Sequence, residues 1–190
     1  MFLQNLYLMS IRFRHRITSH DTPIDFCAHL RDAHKLLIML PANSEEQKGF
    51  NRYIKKFTSI FSNAELYFIS QNEKALPNYV AKDKIIYVTK DKVNSWNYPH
   101  HSLLDTIKAH SFDVCIDCNI KFNFVSIILC ITSDAKVRIC LEEPRREPFY
   151  NLQIKTARQT SSKLKCYNKL FHFIKSCRIQ QIERQSVVTA

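Results

Sequence analysis

The sequence predicts an α/β protein with a Rossmann-like parallel sheet of about five strands, helices on both faces and a basic C-terminal helix. Two observations carry the prediction. Short continuous apolar runs recur at 35–40 (KLLIML), 64–70 (AELYFIS), 84–89 (KIIYVT), 113–118 (DVCIDC) and 136–141 (KVRICL), as expected of strands covered on both faces. Segments with apolar residues three and four apart lie between them, and this tight alternation implies parallel strands joined by right-handed crossovers.

Residues 1–33 are expected as an N-terminal extension. The opening MFLQNLYLMSIRFRHRITSH carries Arg12, Arg14 and Arg16 with no acid before Asp21, a composition shared with transit peptides. A ragged extension is the preferred reading. The single domain then spans 34–178, in keeping with a 190-residue chain. The first strand, closed by Pro41, leads into PANSEEQKGF, where Asn43 or Ser44 is a candidate N-cap and Glu45 and Glu46 suit the positive end of the helix dipole. Phe50, Tyr53, Ile54, Phe57, Ile60 and Phe61 form the stripe that faces the core.

After the Ser62-Asn63 turn comes the second strand, and after a polar connection containing Pro77 the third. Residues 91–100 read as a loop, 101–110 as a short helix with Leu103, Leu104 and Ile107 inward, and 122–132 as a core helix. Beyond the fifth strand, the charged stretch EEPRREPFYNLQIKT suits an extended loop with a short strand at 150–154. Ser161 or Ser162 is placed to cap a last helix reaching about Cys177, with Leu164, Tyr167, Leu170, Phe171 and Ile174 as its stripe. Residues 179–190 are expected to form a flexible tail.

Composition narrows the function. Lys and Arg number 28 against 17 acidic residues, a formal charge of +11, which favours phosphates, anionic lipid headgroups or acidic partners. From Lys155 onward eight basic residues face Glu183 alone. Gly49 is the only glycine, which rules out a Walker loop, a dinucleotide-binding Gly-x-Gly-x-x-Gly turn and a kinase phosphate loop. No apolar run reaches the ~18 residues of a membrane span. The seven cysteines, an odd number set largely in apolar runs, fit a reducing, cytoplasmic setting, with a peripheral place at the inner membrane surface as a variant.

Candidate chemistry gathers at the strand ends. Cys115 and Cys118 are two residues apart, but strand alternation sends their sulfurs to opposite faces, and neither a second ligand pair nor a helix N-terminus accompanies them. Metal and redox chemistry are therefore set aside, and no cofactor is expected. Ligands of open α/β sheets bind beyond the carboxyl ends of the strands, where Asn43, Asp117, Asn119, Arg145 and Arg146 fall. Asp117 and Asn119 suit a hydroxylated ligand, and the arginines a phosphate. Bracing of loop amides by Asp117 is the competing, plainer role. His34, His100 and His101 are scattered, and no Gly-x-Ser-x-Gly nucleophile motif occurs. The last helix, with Tyr167, Phe171, His172 and Phe173 among its lysines, is read as a solvated basic face in preference to a nucleic-acid surface.

Phe61-Ser62-Asn63-Ala64-Glu65-Leu66, then Asp113-x-x-x-Asp117, then Ser126, Ala135 and Arg138, in this order across residues 35–155, resemble the N-terminal half of the family 9 glycosyltransferases, the heptosyltransferase-like enzymes of lipopolysaccharide assembly. The resemblance implies the acceptor-side lobe of a GT-B enzyme that moves a heptose from a nucleotide sugar to an anionic lipid-core acceptor. It also implies a catalytic acid in the loop after the first strand, where Glu45 and Glu46 are the candidates; the family's Gly-Asp phrase is missing there. Thr156 to Ala190 reads as one helix and a tail, too short for a donor lobe. The expectation is a single lobe, inactive alone, that binds an anionic glycan or lipid-core acceptor, or a separate donor-binding subunit. A basic nucleic-acid-binding or protein-interaction module is the alternative.

Overall fold

The structure is a computed structural model of the 190-residue chain, and it describes residue 9 and residues 23–72, 76–156 and 162–179. The N-terminal 22 residues other than Met9, Ser161 as a cap, and the tail from Gln180 lie outside the described residues.

Six strands form one parallel sheet: β1 (Lys35–Met39), β2 (Glu65–Ser70), β3 (Ile85–Tyr87), β4 (Val114–Asp117), β5 (Val137–Leu141) and β6 (Leu152–Ile154), in the order β3-β2-β1-β4-β5-β6. This is the strand order of the Rossmann fold. β6, three residues long, brings the count to six where about five were expected. Helices α1 (Phe26–Asp32), α2 (Ser44–Ile60), α3 (His101–Ala109), α4 (Phe124–Thr132) and α5 (Lys163–Ile179) flank the sheet.

Strand alternation sorts the core into two layers. Leu36, Ile38, Leu66, Phe68, Ile116 and Ile139 point to the side covered by α1, α2 and α5. Leu37, Met39, Tyr67, Ile69, Cys115 and Cys140 point to the side covered by α3 and α4. An aromatic cluster cements the first layer: Phe50, Tyr53 and Phe57 of α2 meet Tyr167 and Phe171 of α5 at centroid separations of 5.0–6.1 Å, pairs that add to simple area burial. Tyr53 completes the contact by donating to Asn168 at 2.5 Å.

Among the described residues, two crossovers have no α-helix. Between β5 and β6, Phe149 and Tyr150 are buried in the second layer and take the place that a helix would fill. Between β2 and β3, the chain runs through Tyr79 and Val80 instead, leaving a cavity of about 610 Å³ beside α2 over Phe61, Leu66 and Phe68.

Helix α1 lies within the stretch expected as an extension. Asp25 caps it by accepting from Ala28 N at 2.9 Å, Leu30 is wholly buried, and Cys27 is disulfide-bonded to Cys177 of α5, a departure from the reduced cysteines that the sequence suggests. Arg178 adds a second tie: its guanidinium donates to the Ile60 carbonyl at the end of α2 (3.0 Å) and to the Arg31 carbonyl in α1. Helix ends leave such carbonyls unpaired, and a cation is favoured there by the dipole.

Candidate functional site at the switch point

β1 and β4 are neighbours and run parallel, while their following helices, α2 and α4, cover opposite faces. The loops after them therefore diverge, and the crevice between is the topological switch point at which open α/β sheets hold ligands. Its rim comprises residues 40–43, 71–72, 118–123 and 142–151.

Asp117 ends β4 and is wholly buried. One carboxylate oxygen accepts from Asn119 N and Nδ2 at 2.9 and 2.8 Å, and the other from the Tyr150 hydroxyl at 2.7 Å. The Arg146 guanidinium, also wholly buried, approaches that second oxygen at 3.9 Å and donates to the carbonyls of Leu141 (3.4 Å) and Lys121. Burial works against the charge on Arg146, but Asp117 and Tyr150 outweigh it and raise its pKa above the ordinary guanidinium value. Burial, and then the neighbouring Asp117 charge, push the Tyr150 phenol well up.

Asn119 extends the network across the crevice: it donates to Ser126 Oγ at 3.0 Å, and its Oδ1 accepts from Ala42 N at 2.8 Å. On the β2 side, buried Gln47 donates to Ser70 Oγ at 3.0 Å and accepts from Asn72 Nδ2 at 2.9 Å, while the same Asn72 nitrogen reaches the Ala42 carbonyl at 2.8 Å. Asn123 caps α4 by accepting from Ser126 N at 3.0 Å. The polar groups of the crevice are thus engaged with one another, although Arg146 Nε has no hydrogen-bond partner.

The candidate site residues divide accordingly. Asp117, Asn119 and Arg146 come together, but inside the protein rather than facing solvent. Asn43 is exposed and accepts from Glu46 N at 3.1 Å as the N-cap of α2. Arg145 is exposed, pairs with Glu143 at 2.9 Å and lies 4.3 Å over the Phe122 ring. Glu45 pairs with Lys48 at 3.2 Å, and Glu46, nearly buried, with Lys163 at 2.9 Å. Neither carboxylate is unengaged. Cys115 and Cys118 belong to opposite core layers, and burial pushes both thiols well above their usual pKa. Among the described residues, no group of three His, Cys, Asp or Glu side chains is placed to hold a metal ion, and no helix is long and apolar enough to cross a membrane.

The sequence places Ser70 and Asn72 at the carboxyl end of β2 without giving them a role, and it does not single out Gln47 or Tyr150. For Gln47 the usable signal is a polar residue on the buried face of α2.

The residues that carry the glycosyltransferase resemblance have architectural contacts. Asp113 accepts from the backbone N–H groups of His34 and Lys35, both at 2.9 Å, and pins the start of β4 to β1. Asp117 pins its end. Phe61 is in the core, and Ser126 receives Asn119. The chain matches no family model, no curated protein and no solved structure.

Proposed function

We propose that this chain is a glycosyltransferase-like acceptor lobe that binds an anionic glycan or lipid-core acceptor at the switch-point crevice and does not transfer sugar by itself. The observation that carries this reading is the closed network around Asp117. A transferase needs a catalytic group poised at the reacting atoms, whereas here both catalytic candidates, Glu45 and Glu46, are paired with lysines, and Asp117 at the crevice is taken up by internal hydrogen bonds. The exposed cations of the rim are Lys121 and Arg145, with Asn43 at the N-terminus of α2, and they are the groups that would hold an anionic ligand, although Glu142 and Glu147 are exposed on the same rim. The lobe then acts as half of a cleft, with a donor-binding subunit as the partner that completes it, at the inner membrane surface where a lipid-linked acceptor would lie.

The test uses the pure protein with a nucleotide-heptose and a phosphorylated core oligosaccharide. Calorimetric binding of the oligosaccharide, weakened about tenfold or more by Lys121→Ala with Arg145→Ala through loss of charge-assisted hydrogen bonds, without sugar transfer, is the expected result. Turnover without any added protein, or no binding of the oligosaccharide, overturns the reading.

A further inference from the structure

The formal charge of +11 is not spread evenly over the folded surface. In the layer opposite α2 and α5, helix α3 carries only Asp105 and Lys108, and α4 carries no charged residue. Helices α2 and α5 carry nine Lys and Arg against Glu45 and Glu46 alone. Those two acids sit at the N-terminal end of α2 and are matched by Lys48 and Lys163. Arg178 is turned inward onto carbonyls. Arg52, Lys55, Lys56, Lys165, Lys169 and Lys175 remain, all exposed, with no acid on either helix beyond Glu46. Between the helices runs a groove of about 470 Å³, lined by Lys55, Lys56, Ser59, Asn168, His172 and Lys175. Like charges gathered this closely repel one another, so the arrangement costs stability unless an anion meets it.

We infer that the α2–α5 face is a docking surface for an anionic phospholipid bilayer. Three features favour a lipid surface over nucleic acid. Five of the six uncompensated cations are lysines, point charges suited to a diffuse layer of headgroups rather than to bidentate readout. Most rings that a single strand would need for stacking are taken up: Tyr53 and Tyr167 are buried, Lys56 lies 5.3 Å over Phe171 and Lys55 4.8 Å over Tyr79, which leaves His172 as the exposed ring of the groove. Both helices pack broadside on the sheet, so neither protrudes as a helix must to enter a major groove. A 17-residue helix also presents its charges along about 25 Å, a length matched to a plane of headgroups. These cations lie mainly on the later turns of α2 and along α5, away from the crevice at the α2 N-terminus, so the surface stands whether or not the acceptor reading does.

The experiment is co-sedimentation of the full chain with vesicles of phosphatidylcholine containing phosphatidylglycerol, and with pure phosphatidylcholine vesicles, over a salt series. Binding to the anionic vesicles alone, declining with salt, is expected. Each lysine neutralised in the series Lys55→Gln, Lys56→Gln, Lys169→Gln, Lys175→Gln lowers the partition coefficient roughly fivefold, whereas Lys108→Gln on α3 leaves it unchanged. Competition arms add duplex DNA and a single-stranded RNA. No binding to anionic vesicles at low salt overturns the inference, as does binding unaffected by the four substitutions. So does tight nucleic-acid binding through these lysines with vesicles ignored.

Discussion

Replacing Asp117 by alanine separates a structural carboxylate from a ligand-binding one. The side chain accepts three hydrogen bonds and faces a guanidinium with no exposure to solvent. Removing one partner of a buried ion pair costs about 3–5 kcal/mol, because the surviving charge is left uncompensated. The Asn119 and Tyr150 donors lose their acceptor as well, and since the groups act as one network their costs do not simply add. Taking about 4 kcal/mol as the central value, and about 2–4 °C per kcal/mol for a domain of this size, the melting temperature falls by about 8–16 °C. Urea denaturation followed by circular dichroism supplies the free energy directly. Adding Arg146→Met to Asp117→Ala recovers part of the loss, because the orphaned charge goes with it. A structural role is refuted if Asp117→Ala stays within about 0.5 kcal/mol of the parent, the range of an ordinary surface change, while binding at the crevice disappears.

Four other perturbations have defined outcomes. Reducing the Cys27–Cys177 bond, or substituting both residues by serine, releases a loop with a sequence separation of 150; the chain-entropy ceiling is about 5 kcal/mol, read as a lower melting temperature in reductant. Arg178→Met keeps the aliphatic stem but removes the donors to Ile60 and Arg31, and a loss of about 1–3 kcal/mol in urea unfolding is expected. Burial, with Lys35 and Lys84 nearby, lowers the His110 pKa below its ordinary value. The unfolded chain then takes up that proton first, so stability is full above the ordinary histidine pKa and declines as pH falls through it. An NMR titration reports the lowered pKa, and His110→Phe flattens that part of the pH profile. Cys115, Cys118 and Cys140, buried with raised thiol pKa values, resist an alkylating reagent until the protein is unfolded.

The strands and helices were legible where one residue pattern repeated over several turns or a whole strand. KLLIML and DVCIDC announce doubly covered strands, and the Phe50 to Phe61 stripe announces α2, which the structure bounds at Ser44 and Ile60. Helix α1 was missed because its seven residues hold only Leu30 as a fully buried anchor, too short a stretch for a period to declare itself. β6 was marginal for the same reason. The Cys27–Cys177 bond depends on α1 packing against α5, a relation between segments that no local pattern encodes. At the crevice, Asp117, Asn119 and Arg146 were legible as residues beyond strand ends. Whether they face solvent or one another was not, since it turns on Phe149 and Tyr150 filling the second layer and carrying the Tyr150 hydroxyl to Asp117. The basic surface was half visible: the lysines of α5 stand out in the sequence, but Lys55 and Lys56 join them in one groove only once α2 lies alongside.

The proposed lobe binds its acceptor without transferring sugar. Single-turnover incubation of the pure protein with radiolabelled nucleotide-heptose and phosphorylated core acceptor, with acceptor binding measured on the same sample, addresses it most directly. A bound acceptor carrying no label is the predicted result. Label appearing in the acceptor with no second protein present contradicts it.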